Sequence, residues 1–139
     1  MSIINKIGNI LLLQKLKRGK RKREMFDLDG AKTIGVLFTA DSIDSYNTIV
    51  SFANSLSQKD KKVLCIGYVE NKKQFEMFAE QSGFRFFSDK HCNWYGKPKS
   101  QSVDYFIDKD FDILMDVSLR DKNTINYIVG LSKAKYKVG

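Results

Sequence analysis

The sequence predicts an α/β three-layer sandwich built on a mainly parallel sheet of about five strands. Three observations carry this expectation. Short apolar runs of strand length alternate along the chain with segments whose apolar residues recur at three- and four-residue steps. The best strand runs are apolar along most of their length, the mark of strands covered on both faces. At 139 residues and 42% hydrophobic, the chain holds one domain's worth of core and needs no covalent staples.

The elements follow in order. Ile3, Ile4, Ile7, Ile10, Leu11 and Leu16 fall at helical spacing, so residues 2 to about 18 read as a basic amphipathic helix capped by Ser2 and weakened by Gly8 and Gly19. From Thr33 the pattern changes to "TIGVLFT", a strand. In "ADSIDSYNTIVSFANSLSQKDKK", Ile43, Tyr46, Ile49, Val50, Ala53 and Leu56 mark a helix. The alternation then repeats: strand "KVLCIGYVE", helix "KKQFEMFAEQSG" closed by Gly83, strand "FRFFS", and a loop to Lys99. Helix "SQSVDYFIDKD", strand "FDILMDVS", helix "DKNTINYIVGLSKA" and strand "KYKVG" complete the chain. Right-handed crossovers give such an order a doubly wound, Rossmann-like arrangement. The expected organisation is a basic helical arm at 1–24 and a single Rossmann-like domain at 32–139, joined by "EMFDLDGA". No internal repeat is visible, and Pro98 is the one proline.

Charge divides the chain at the same place. All sixteen acids lie between Glu24 and Asp121, a stretch that with the remaining residues also holds sixteen of the twenty-four lysines and arginines. Residues 24–139 therefore sum to zero, and residues 1–23 carry the whole net charge of +8. A neutral body with a polycationic leader points to a polyanionic partner. Cys65 and Cys92 are too few for a disulfide scaffold and form no C-x-x-C pair, which fits a reducing cytoplasm. The N-terminal apolar segment has its charges after it and no small-residue cleavage pattern, so it does not read as an export signal. Its longest apolar run, Ile10 to Leu13, is far shorter than the ~20 residues a spanning helix needs.

Chemistry-bearing patterns are sparse. The turn after the first strand, Thr39 to Ser45, lacks G-x-G-x-x-G and G-K-[ST] and places Asp41 and Asp44 where a phosphate would sit. Its residues read as helix caps. Asp108, Asp110 and Asp112 alternate like the start of a calcium loop, but Ile113 and Leu119 stand where glycine and glutamate are required, so these acids are expected to solvate a junction. Asp116, at the carboxyl end of a strand, is the best single carboxylate candidate, against a role as cap or turn acceptor. His91 adjoins Cys92, and sequence neighbours point apart, which disfavours a thiol nucleophile; zinc would lack a fourth good ligand. No catalytic residue, metal or cofactor is expected.

Two segments fit nucleic acid. In "FRFFSDKHCNWYGKPK", rings alternate with cations, and Trp94, Tyr95, Lys97 and Lys99 offer stacking and phosphate contacts. The competing reading makes Phe84 and Phe86 one core-facing side of a strand. The stronger segment is "QKLKRGKRKRE", where Lys15, Lys17, Arg18, Lys20, Arg21, Lys22 and Arg23 are too many for one helical stripe and would be ordered by a polyanion as counterions leave. RNA is the leading partner. A membrane surface is the alternative, with Ile3, Ile7, Ile10, Leu11 and Leu13 dipping into lipid. Packing of the helix on its own body, with a merely solvated basic run, is the third.

The plan of basic arm, "AKTIGVLF", α/β body and "FDILMDVS" to "LSKAKYKVG" resembles an uncharacterised family of short bacterial Rossmann-like proteins, a likeness that brings no functional residues. Residues 111–139 also resemble the strand, helix and lysine-valine-glycine ending in the N-terminal half of heptosyltransferase-type glycosyltransferases. That likeness implies a degenerate, nucleotide-binding half-domain kept as a scaffold, since the second domain and the glycine-aspartate turn are missing here. The expectation as a whole is a non-enzymatic, cytoplasmic, RNA-binding protein, associated with ribosomal RNA and possessing a protein-facing body.

Overall fold

The computed structural model describes residues 5–9, 12, 30–40, 42–69, 83–88, 101–118 and 123–138. Five strands, β1 (Thr33–Thr39), β2 (Lys62–Val69), β3 (Phe84–Ser88), β4 (Ile113–Asp116) and β5 (Tyr136–Val138), form one sheet in the order β3-β2-β1-β4-β5. Every pairing is parallel. The α/β class and the Rossmann-like sandwich expected from the alternation are therefore what the chain adopts. The helices between strands are α1 (Ile43–Ser57), α2 (Gln101–Asp108) and α3 (Asn123–Leu131). The helix expected over 72–83 lies outside the described residues, except for Gly83, whose φ of +85° is the left-handed conformation glycine adopts without a Cβ clash.

Alternation along each strand sorts the core into two layers. Ile34, Val36 and Phe38 of β1, Ile113 and Met115 of β4, and Val117 just beyond it face one layer, closed by Ile49, Ala53 and Leu56 of α1. Leu37 and Leu114 face the other, with Val103, Phe106 and Ile107 of α2 and Ile125 and Ile128 of α3. Burial of both faces explains why these strands read as continuous apolar runs. Phe84, Phe86 and Phe87 are all buried, and the first two meet Phe38 edge-on with ring centroids at 6.4 and 6.2 Å. Phe84 and Phe86 thus form one core-facing side of the strand, as the competing reading has it, and Phe87 packs on its other face.

Two local features set the geometry of the sheet ends. Gly35 leaves room for the Phe111 ring: a Cβ there would lie 2.6 Å from its nearest atom. Asp112 is expected to solvate a junction, but it instead bridges elements distant in sequence, its Oδ2 accepting from the backbone N–H groups of Lys32 at 2.8 Å and Thr33 at 3.2 Å. Its other oxygen pairs with Lys135 Nζ at 3.3 Å. One carboxylate so ties the starts of β1, β4 and β5 together, and those donors hold its pKa below the usual carboxylate value.

Candidate nucleic-acid interface

The residues expected to meet RNA, Lys15, Lys17, Arg18, Lys20, Arg21, Lys22 and Arg23 together with Trp94, Tyr95, Lys97 and Lys99, lie outside the described residues, as do His91 and Cys92. Residues 5–9 before the basic run and 30–32 after it are described, and both stretches are fixed to the body. Residues 5–9 are helical, as the periodicity predicts. Ile7 is 7% exposed and belongs to the α1-side core, while Lys6 Nζ donates to the Ser118 carbonyl at 2.6 Å. At the other flank, Lys61 Nζ is buried on the Ala31 carbonyl at 2.6 Å, and the Lys32 N–H is held by Asp112. Ser118 follows the carboxyl end of β4, whereas Ala31 and Lys32 precede β1. The two anchors therefore stand at opposite edges of the sheet.

The first anchor bears on small-ligand chemistry. In a 3-2-1-4-5 order the crevice where ligands enter lies between the carboxyl ends of β1 and β4. At that edge Ser42 caps α1, its hydroxyl accepting from the Ser45 N–H at 3.2 Å, as the turn sequence predicts. Asp116, the best carboxylate candidate by sequence, has its Oδ1 engaged by both the N–H and the hydroxyl of Ser118, at 3.0 and 2.6 Å. That is the turn-acceptor role. Lys6 reaches the same Ser118, so the N-terminal helical turn packs beside this crevice. Cys65 is fully buried and burial pushes its thiol pKa up, leaving no thiolate for catalysis. Among the described residues, no group of three or more His, Cys, Asp or Glu could hold a metal ion.

A family model, "Family of unknown function (DUF6913)", matches residues 5–139. The chain belongs to this family. The match takes in the docked turn and the basic run as well as the sheet. No curated protein and no solved structure matches the chain.

Sequence reading overlooked a second set of cations on this DUF6913 body. Because all strands run the same way, every strand start is brought to one edge of the sheet. Lys32 precedes β1; Lys59, Lys61 and Lys62 lead into β2; Lys109 precedes β4; Lys133 and Lys135 precede β5. All but Lys61 are exposed. Asp108 and Asp112 pair with Lys133 and Lys135, and Asp60 and Asp110 are the other acids there among the described residues. The signal was in the sequence as a lysine ahead of four strands. Only the parallel topology makes those lysines neighbours.

Proposed function

We propose that this protein is a non-enzymatic, cytoplasmic RNA-binding protein that docks on structured RNA, most directly ribosomal RNA, through Lys15, Lys17, Arg18, Lys20, Arg21, Lys22 and Arg23. The observation that carries the reading is the charge division: +8 within residues 1–23 against a body that sums to zero. Density of this kind serves phosphate backbones with little sequence readout. Trp94, Tyr95, Lys97 and Lys99 would add stacking and phosphate contacts. Anchors on both flanks support the reading further, because a run tethered at two points loses less entropy on binding than a free tail.

The same anchors favour RNA over a membrane adaptor. Ile7, one of the side chains a lipid-lying helix would insert, is spent on the protein's own core. No helix among the described residues is long and apolar enough to cross a membrane. A degenerate nucleotide-binding half-domain would use the strand-end crevice, where Asp116 Oδ1 already accepts from the N–H and hydroxyl of Ser118.

The test is sedimentation of a lysate prepared at low salt. The protein is expected to travel with ribosomal particles, to move to the top of the gradient after nuclease digestion, and to be released by high salt. Sedimentation with vesicles, or migration alone before any nuclease, would refute the proposal.

A further inference from the structure

We infer that the amino-terminal edge of the sheet is a second RNA-backbone surface, formed by Lys32, Lys59, Lys62 and Lys109. The inference rests on the RNA reading above and extends it from the leader to the folded body. Its first support is position. Lys62 pairs in register with Thr33, and the Lys62 N–H donates to the Lys32 carbonyl at 2.8 Å, so the β1 and β2 lysines stand side by side. Lys109 lies in the turn that brings the chain to β4, which flanks β1 on its other side. From β2 across β1 to β4 is two interstrand steps of about 4.8 Å each, so the set spans roughly 10 Å plus the reach of the side chains.

Charge is the second support. Among the described residues the edge carries seven lysines against four acids, Asp60, Asp108, Asp110 and Asp112. Two of those acids are occupied by Lys133 and Lys135, and Lys61 is turned inward to the Ala31 carbonyl. Lys32, Lys59, Lys62 and Lys109 are exposed, with Lys109 Nζ donating to the Tyr105 hydroxyl at 3.3 Å, and they sit on backbone fixed by strand pairing or by the α1–β2 and α2–β4 turns. Cations held on rigid elements meet a phosphate backbone at lower entropic cost than the same charges on a free chain. At the described carboxyl edge the balance is reversed, with Asp44 and Asp116 against Lys6.

The third support is a cleft where the described chain resumes after the basic run. The first described residue after the basic run is Gly30, next to Ala31, which Lys61 anchors at this same edge. Gly30, Lys32, Asp112, Lys135 and Tyr136 line a shallow cleft here, and the half-exposed Tyr136 ring adds a face on which a base can stack.

The experiment replaces Lys32, Lys59, Lys62 and Lys109 by glutamine in the full chain and measures affinity for a structured ribosomal RNA fragment over a salt series. Each phosphate contact contributes about 0.7–0.9 to the slope of log affinity on log salt, so the variant's slope should be shallower by about three. Lysine acetylation of the wild-type protein with and without that RNA reads the same surface unmutated, and these four side chains should be protected. An unchanged slope in a variant that melts like wild type, with no protection, overturns this inference while leaving the RNA reading intact. Absence of salt-dependent RNA binding by the wild-type chain sinks the RNA reading itself.

Discussion

Replacement of Asp112 by alanine probes the contact that holds three strand starts together. It removes two backbone bonds to a carboxylate, at 2.8 and 3.2 Å, and an ion pair at 3.3 Å. A hydrogen bond to a charged group contributes about 1.5–3 kcal/mol, but the Lys32 N–H is exposed and water replaces its partner, which sets that bond at or below the low end. The Lys135 side chain is 68% exposed, so its pair adds only about 0–1 kcal/mol. The expected loss is about 2–3 kcal/mol, or roughly 10 °C in Tm for a chain of this size. Asp112→Asn keeps one acceptor and should lose about half as much. The pH dependence follows from the direction of the shift. Backbone N–H groups of Lys32 and Thr33, then Lys135, hold the folded carboxyl below its unfolded value, so its stabilisation is full above the unfolded value and is lost as pH falls through the folded one. Urea unfolding of wild type and both variants from about pH 7 down to about pH 2.5 should show the gaps narrowing below about pH 4. An Asp112→Ala cost under about 0.5 kcal/mol, or a gap independent of pH, would refute the reasoning.

Other substitutions test the layers and the docked turn. Gly35→Ala drives a methyl to 2.6–2.9 Å of three Phe111 ring atoms on a side chain 1% exposed, and should cost about 1–3 kcal/mol in urea unfolding, partly recovered when Phe111→Leu is added. Gly8→Ala meets nothing within 4 Å and should stabilise the N-terminal helical turn by about 0.5–1 kcal/mol, seen as slower amide exchange at Lys6 and Ile7. In a Cys92→Ser background, Cys65 should react with thiol reagents only as fast as the protein unfolds, since it is fully buried and its thiol stays protonated.

The legible part of the fold was the part written in local pattern. β1 and β3 have the bounds their apolar runs predict, Thr33–Thr39 and Phe84–Ser88, and Ser42 caps the helix that its position announces. Helix ends were less legible. The periodic segment through Lys62 stops at Ser57 because Gln58 to Asp60 form a turn, with Asp60 at φ 62°, and no glycine or proline marks it. Long-range satisfaction was not legible at all. Asp112 reads as a solvated junction acid until the backbone seventy-nine residues away is seen to donate to it. Asp116 reads as a free carboxylate at a strand end until its Oδ1 is seen to accept from Ser118. For the candidate interface, the basic run is visible as composition, whereas the edge lysines needed strand direction before they became a surface.

The most direct measurement is the affinity of the full-length chain for structured ribosomal RNA between about 50 and about 200 mM salt, beside a variant with Lys15, Lys17, Arg18, Lys20, Arg21, Lys22 and Arg23 changed to glutamine. Seven neutralised phosphates predict a slope of at least about five and a loss near a thousandfold over that range, with the variant's slope collapsing. Affinity indifferent to salt, or a variant that binds as wild type does, would contradict the claim that the leader is built for RNA.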